Sequence, residues 1–222
     1  VMTVNKHNYN KILHELTPAY VTLVAVSKIK PASDIQSLYD LGQKDFGENY
    51  VQEMVEKAQS LPKNIRWHFI GHLQSNKVKY IAPFVHLIHG VDSEKLLKEI
   101  DKQGNKISRV INCLLQVHIA QEETKFGFDA TEVSVLADKI ASGKIRFENL
   151  NICGLMGMAS FSDDLQKVGS EFKLLSELYQ SLQPILPSFN TLSMGMSADY
   201  KLAVEYGSNM VRIGSLLFGA RY

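Results

Sequence analysis

Cysteine is scarce in this 222-residue chain: Cys113 and Cys153 are the only two, and both fall within apolar runs. Thiols placed in this way point to a reducing compartment, with the cytoplasm as the expected location, while a disulfide between the two stays open. An excess of charge of either sign is also missing. Lysine and arginine number 24 against 23 acidic residues, a formal net charge of +1, so nothing marks a nucleic-acid or membrane surface. No apolar run approaches the roughly 20 residues needed to span a bilayer. The opening residues Val1 to Lys6 carry no signal-peptide pattern, and a start at valine leaves room for a segment upstream. There is no Pro/Gly/Ser-rich linker, no low-complexity tract, no repeated sequence motif and no break in composition, so residues 1–222 are expected to form one domain. A dinucleotide-type glycine fingerprint is absent after the first predicted strand.

What the chain does have is alternation. Val21 to Lys28 is a short apolar run rich in β-branched residues, stopped by Lys30-Pro31, and it reads as a buried strand. Further strands are expected at 45–49, 65–70, 84–91, 110–117, 150–156, 190–193 and 210–213. Most of the stretches between them carry apolar residues at helical spacing, and a leading helix is expected over Tyr9 to Tyr20. Ser33 is a candidate cap for the next helix, Asp92 or Ser93 for a later one, and Asp129 with Glu132 has capping-box spacing. Strand–helix alternation gives a parallel sheet with helices outside it. Eight units in this length favour a compact, closed (β/α)8 barrel over an open doubly wound sheet.

Barrels carry their active sites at the C-terminal ends of the strands. Here those ends bear Lys28, Glu48-Asn49, His68 with His72, Asp92, His118, Ser193 and Arg212. Lys28 at the dry end of a buried strand can lose its proton and become a nucleophile, although a lysine snorkelling into solvent would read the same way. His68 and His118 read equally well as satisfied core or rim histidines, and Glu48 and Asp92 as helix caps. Ser193-Met194-Gly195-Met196-Ser197 follows strand seven, and Arg212-Ile213-Gly214-Ser215 follows strand eight. Small residues there let backbone N–H groups approach an anion, where barrels often bind phosphate. A lysine facing a phosphate nest across the barrel mouth suits pyridoxal 5'-phosphate (PLP): a Schiff-base lysine for the aldehyde, a nest for the phosphate, and Arg212 for the pyridine nitrogen. A sugar-phosphate enzyme would use the same nest, and the residues alone leave both readings open.

The stretch Trp67-His68-Phe69-Ile70-Gly71-His72-Leu73-Gln74-Ser75-Asn76-Lys77 resembles the signature of the pyridoxal phosphate homeostasis proteins. Val24 to Lys28, Phe46 to Tyr50 and Leu192 to Asp199 look like the same family, and Val211 to Gly219 is similar to the closing stretch of the alanine racemase barrel. The resemblance is collinear over nearly the whole chain. It implies an alanine-racemase-like TIM barrel that binds PLP, with Lys28 as the Schiff-base lysine and Arg212 at the pyridine nitrogen. Ser193, Gly214 and Ser215 are implied at the phosphate, with Gly195 and Ser197 in the same nest, and Asn49 and His68 beside the ring. Glu122, Lys125 and Gly127 keep a family spacing, whereas His118 stands where asparagine is common, which puts the role of loop 118–128 in doubt.

The leading functional expectation is a non-catalytic PLP holder in vitamin B6 homeostasis, with PLP-dependent apo-enzymes as candidate recipients. The expected state is a monomer, with no nucleic-acid, membrane or metal partner. The rival is a PLP-dependent racemase or decarboxylase, and a phosphosugar-binding barrel is a third. The racemases carry an additional β domain that this sequence, ending at Arg221-Tyr222, is not expected to build. A racemase would also need a second acid/base group, for which His68 and His72 are the candidates.

Overall fold

The computed structural model describes residues 4–121 and 126–219. Eight parallel strands close into a barrel in sequence order, with β1 (Thr22–Val26) hydrogen-bonded to both β2 (Asp45–Glu48) and β8 (Met210–Ile213). The others are β3 (Arg66–Phe69), β4 (Leu87–Val91), β5 (Ile111–Gln116), β6 (Leu150–Met156) and β7 (Thr191–Ser193). Outside them, among the described residues, run α1 (Lys6–Leu16), α2 (Ala32–Asp40), α3 (Val51–Ser60), α4 (Val78–Ile81), α5 (Glu94–Lys106), α6 (Ala130–Ala141), α7 (Leu165–Leu182), α8 (Tyr200–Glu205) and α9 (Ser215–Phe218). The expected barrel and its strand order are present. No helix among the described residues is long and apolar enough to cross a membrane.

Side chains alternate across each strand, and a barrel turns that alternation into two cores. Leu23, Ala25, Phe46 and Phe69 point outward and join the helix faces, including Leu96, Leu97 and Ile100 of α5 and Phe172 and Leu175 of α7, in one large cluster. Val24, Leu87, Leu114, Cys153, Met156 and Met210 form a separate, smaller cluster inside the barrel. It shares that interior with buried polar side chains: Asp45, His68, His89, Ser193 and Arg212.

The cap signals hold in part. The Ser93 hydroxyl accepts from the Leu96 N–H, and Asp129 with Glu132 forms the full capping box of α6. Ser33 is not a cap. Pro31 occupies that position, its fixed φ of −67° suiting the entry to α2, and Ser33 lies inside the helix. Two short helices, α4 and α9, stand where sequence periodicity gave none, because four residues are too few to show a period. Cys113 and Cys153 are both buried and both free thiols, which settles the disulfide left open above. The Asp129→Ala variant loses one arm of the capping box and is expected to be less stable by about 1 kcal/mol. The shift of the urea unfolding midpoint measures it.

Candidate functional site

The strand β1 stops at Val26, so Lys28 sits two residues beyond it, in a turn rather than on the strand itself. Ile29 then adopts a left-handed backbone, φ 62°, a conformation a β-branched residue takes at a cost of roughly 1–3 kcal/mol. A buried cluster on β2 and α3 holds that turn. Lys57 Nζ donates to the Ser27 carbonyl at 2.8 Å, to Glu48 Oε1 at 2.7 Å and to Glu53 Oε1 at 2.6 Å. The Ile29 N–H donates to Glu53 Oε1 at 2.6 Å, and the Ser27 hydroxyl to Glu48 Oε1 at 2.5 Å. Glu48 is therefore neither a rim group nor a cap. It is fully buried beneath the turn, and burial raises its carboxyl above the usual range despite the opposing pull of Lys57 and Ser27.

Lys28, half-buried, lines a cleft of about 390 Å³ at the C-terminal end of the barrel, together with Lys30, Asn49, Ser197, Arg212, Gly214 and Ser215. The cleft lies within the size range of small-molecule sites. Its far wall comes from the loops after β7 and β8. Gly195 has φ +100°, and an added Cβ would lie 2.7 Å from Ala203 Cβ, so glycine alone allows that turn. The Gly195 carbonyl accepts the Arg212 N–H at 3.0 Å, and Asp199 Oδ1 accepts the Met196 N–H at 2.7 Å. These bonds present Ser197, whose hydroxyl oxygen accepts the Gly214 N–H at 3.3 Å. Gly214 precedes the first turn of α9, where backbone N–H groups have no intrahelical acceptor. A Cβ on Gly214 would come within 3.3 Å of the Val26 backbone oxygen. Gly195 itself packs against Ala203, Tyr200 and Val211 behind the cleft and shapes the turn without lining it.

Two sequence-derived residues belong elsewhere. Ser193 is fully buried with its hydroxyl between His89 Nδ1, at 3.0 Å, and Arg212 Nη1, at 2.5 Å. The last residue of β7 turns its side chain into the barrel, so Ser193 serves Arg212 and not an anion in the nest. His68 is fully buried as well, with Nε2 2.9 Å from Asp45 Oδ1 and Nδ1 2.9 Å from His89 Nε2. It sits inside the barrel below the cleft and does not line it. Asn49 does line the cleft, and its Oδ1 is buried with no partner, an acceptor left for a ligand donor.

Arg212 reaches the cleft from inside the barrel. Its second contact is from Nη2 to the Gly157 carbonyl at 3.2 Å. Burial lowers its pKa to about 10, with the charge of Asp199 opposing, so the guanidinium stays cationic at neutral pH. His89 is pushed well below the usual imidazole value, chiefly by burial, with the Arg212 guanidinium adding to it. At the opposite end, Arg66 Nε donates to Asp45 Oδ1 at 2.7 Å and Nη2 to Oδ2 at 2.5 Å. Burial would raise the Asp45 carboxyl, but the bonds from Arg66 and His68 outweigh it and hold the pKa at about 2. Asp45, His68 and His86 bring potential metal-ligand atoms within 4.8 Å of one another. Both Asp45 oxygens are already committed to Arg66 and His68, so the group reads as a hydrogen-bonded cluster.

His72 lies outside the Lys28 cleft. Its Nδ1 is 3.2 Å from Asp92 Oδ2, and its ring stacks on Phe126 at 4.1 Å between centroids. The His118 N–H donates to the Phe128 carbonyl at 2.9 Å. Glu122 and Lys125 lie outside the described residues. Sequence reasoning missed the Lys57 clamp, Lys30, Asp45 and His89. Lys57 sits at i+4 from Glu53 on a helix and looks like a surface pair. His89 and Asp45 could have been found by noting polar residues at inward positions of strands.

Fold and site together define the class: a closed parallel barrel with a lysine after its first strand and a buried arginine on its last, both on one cleft. The model of the family "Alanine racemase, N-terminal domain" matches residues 5–222. Alanine racemase from Bartonella henselae shares the fold, with a TM-score of 0.73 at 15% identity, over 94% of this chain and 56% of that one. Closer in sequence, a pyridoxal phosphate homeostasis protein of Vibrio alginolyticus is 42% identical over 210 residues, 92% of this chain and 88% of the relative. One from Schizosaccharomyces pombe is 40% identical over 90% of this chain and 84% of the relative. PipY of Synechococcus elongatus, solved with PLP bound, superposes with a TM-score of 0.86 at 32% identity, over 96% of this chain and 99% of that one. The chain belongs to the family of pyridoxal phosphate homeostasis proteins.

Asp45 gives this site a pH signature. Its folded pKa lies below the ordinary aspartate value of 3.8. The stabilisation is therefore complete above about pH 4 and lost as pH falls toward 2. The wild type is expected to exceed Asp45→Asn by about 2 kcal/mol in unfolding free energy at pH 6. Urea unfolding at a series of pH values should show the gap closing through that acid window.

Proposed function

We propose that the protein binds pyridoxal 5'-phosphate in the Lys28 cleft and holds it for intracellular vitamin B6 homeostasis, with negligible turnover of amino acids. The observation that carries the reading is the meeting of Lys28 and Arg212 on one cleft with the Ser197–Gly214–Ser215 corner. The residues present fit the group. An amine suits its aldehyde, small residues and hydroxyls suit its phosphate, a guanidinium suits its ring nitrogen, and the unpartnered Asn49 Oδ1 is a free acceptor. PipY, which was solved with PLP bound, and the names of the curated relatives support it.

Each residue then has a task. Lys28 supplies the amine that would hold the cofactor covalently. Ser197, Ser215 and the backbone of Gly214 would take the phosphate, and Arg212 the pyridine nitrogen. When bound, PLP supplies an electron-withdrawing ring, strongest with its nitrogen protonated. A cationic Arg212 disfavours a second positive charge there and so weakens that pull. Lys57 and Glu53 fix the turn that aims Lys28. Free thiols at Cys113 and Cys153 suit a cytoplasmic setting. We expect residues 1–222 to act as one barrel domain and as a monomer, with PLP-requiring apo-enzymes as recipients.

The non-catalytic part rests on which groups line the cleft. Among its described lining residues, the titratable side chains are Lys28, Lys30 and Arg212. Among the described lining residues no histidine, tyrosine, cysteine or carboxylate is there to serve the second face that racemisation needs. Lys30 is the one group that favours the racemase reading, and its Nζ already donates to the Phe218 carbonyl at 3.0 Å.

Borohydride treatment of the PLP-loaded protein, followed by peptide mapping, is expected to place the phosphopyridoxyl group on Lys28. A label on another lysine, or none, refutes the assignment. Solvent-deuterium exchange at Cα of L- and D-alanine at saturating PLP is expected to show no inversion. Inversion at ordinary enzymatic rates, on the order of 1–10³ per second, would make the racemase reading correct.

A further inference from the structure

From the exposed Arg66 at the N-terminal rim, four buried side chains form one unbroken line of contacts through the barrel to the cleft: Asp45, His68, His89 and Ser193, ending on Arg212. Asp45 and Arg66 begin β2 and β3, His68 and His89 lie midway along β3 and β4, and Ser193 ends β7. The cofactor reading uses Arg212 and leaves the other members without a role. Placing four polar groups in a barrel core costs stability unless every one is satisfied.

The line has a direction, and the chemistry at each end sets it. Arg212 can only donate, so its Nη1 gives a proton to Ser193 Oγ. Among the described residues, the other partner of Ser193 Oγ is His89 Nδ1, which is therefore the acceptor of the hydroxyl proton. His89 then carries its own proton on Nε2 and donates to His68 Nδ1. His68 carries its proton on Nε2 and donates to Asp45. Asp45 is acceptor-only when ionised, and Arg66 keeps it so. Two neutral histidines in the Nε2–H form satisfy every donor and acceptor along the line. A cationic His68 would reverse His89 and leave the Ser193 hydroxyl proton without an acceptor.

We infer that Asp45, His68, His89 and Ser193 are positioning residues for the cofactor: they fix the Ser193 lone pair on Arg212, so that the guanidinium meets the pyridine nitrogen in one orientation. The inference rests on the PLP reading for what Arg212 touches, but not for the direction of the line. The substitution Asp45→Asn tests that direction from the far end. Its carboxamide has one acceptor oxygen, which Arg66, a pure donor, takes. Its NH2 then faces His68 Nε2, which must become an acceptor. Each proton steps over, His89 moves to Nδ1–H, and Ser193 Oγ has to accept from His89 and Arg212 together.

Histidine-selective 15N labelling of the full chain without cofactor reads this directly. The signals of His68 and His89 are assigned by their loss in His68→Gln and His89→Gln. Both are expected as neutral Nε2–H imidazoles in the wild type. An Nδ1–H form of His89 or a doubly protonated His68 overturns the inference. In Asp45→Asn, His89 is expected in the Nδ1–H form, with PLP bound roughly three- to tenfold more weakly, the effect of one compromised hydrogen bond. A folded variant that keeps His89 as Nε2–H, or binds PLP as tightly as the wild type, overturns it. If Asp45→Asn does not fold, Ser193→Ala takes its place. The His89 Nδ1 resonance should then move as its donor is lost, and PLP binding should weaken by a similar factor; no change in either refutes the inference. If the wild-type tautomers are as assigned but the protein takes up no PLP, the cofactor reading fails and the direction of the line stands.

Discussion

A guanidinium inside a barrel cannot be left without acceptors, and that constraint shapes the interior of this protein. Arg212 is almost wholly buried, yet among the described residues no carboxylate hydrogen-bonds to it; its side chain donates to a hydroxyl and a backbone carbonyl. A buried ion without a counter-ion is costly unless hydrogen bonds replace the lost water. The structure supplies them from two sides. The Gly157 carbonyl closes one side of Arg212, and Ser193 passes the demand for an acceptor inward, through two histidines, to Asp45 at the far rim. The charge that favours the Arg212 cation is Asp199, acting through space, while the carboxylate reached by hydrogen bonds, Asp45, lies at the other end of the polar line. A guanidinium with few fixed partners keeps donors for a ligand, which a bidentate carboxylate would have consumed.

The cleft depends on strain held in place from outside the barrel. Lys28 projects from a turn whose next residue is left-handed, and the amide of that residue is captured by Glu53. Lys57 then joins Glu53, Glu48 and the Ser27 carbonyl around one ammonium. Burial raises the Glu48 pKa against the pull of Lys57, with the nearby Glu53 adding a little, and among the described residues its Oε2 has no partner. Opposite, Gly195 supplies a backbone shape no side chain permits, and its carbonyl fixes the Arg212 amide. The two walls are thus set independently, one by an ion cluster and one by a glycine turn. Both lie at strand ends, where a barrel tolerates irregular backbone.

The barrel was legible in the sequence because strand–helix alternation is a pattern of elements and survives errors at their edges. Strands came out shorter than their apolar runs, as with Val21 to Lys28 against Thr22–Val26. The run extends past the strand into the turn that carries Lys28. Lys28, Arg212 and the Ser197–Gly214–Ser215 corner were legible because they sit where loops leave the strands. Ser193 and His68 were misplaced for one reason: strand ends were read as pointing to the mouth, but alternation sends every second residue inward. Lys57 was invisible, since a lysine on a helix at i+4 from a glutamate ordinarily lies in solvent. Only the packing of α3 on the β1 turn buries it.

The same distinction bears on holder against enzyme. Counted in the sequence, the region near the cleft holds several histidines, enough for general acid/base chemistry. In the fold, His68 and His89 are sealed in the barrel interior, and His72 is paired with Asp92 outside the cleft. Among the described residues, no imidazole lines the Lys28 cleft. A general base must lie within hydrogen-bond reach of the proton it removes, and His68 and His89 do not line the cleft. On the cofactor reading, what the interior line can do is set the orientation of the cation that would face the ring nitrogen. On the cofactor reading the polar core would tune how PLP is held, and among the described lining residues only lysines and Arg212 remain for any proton exchange at Cα.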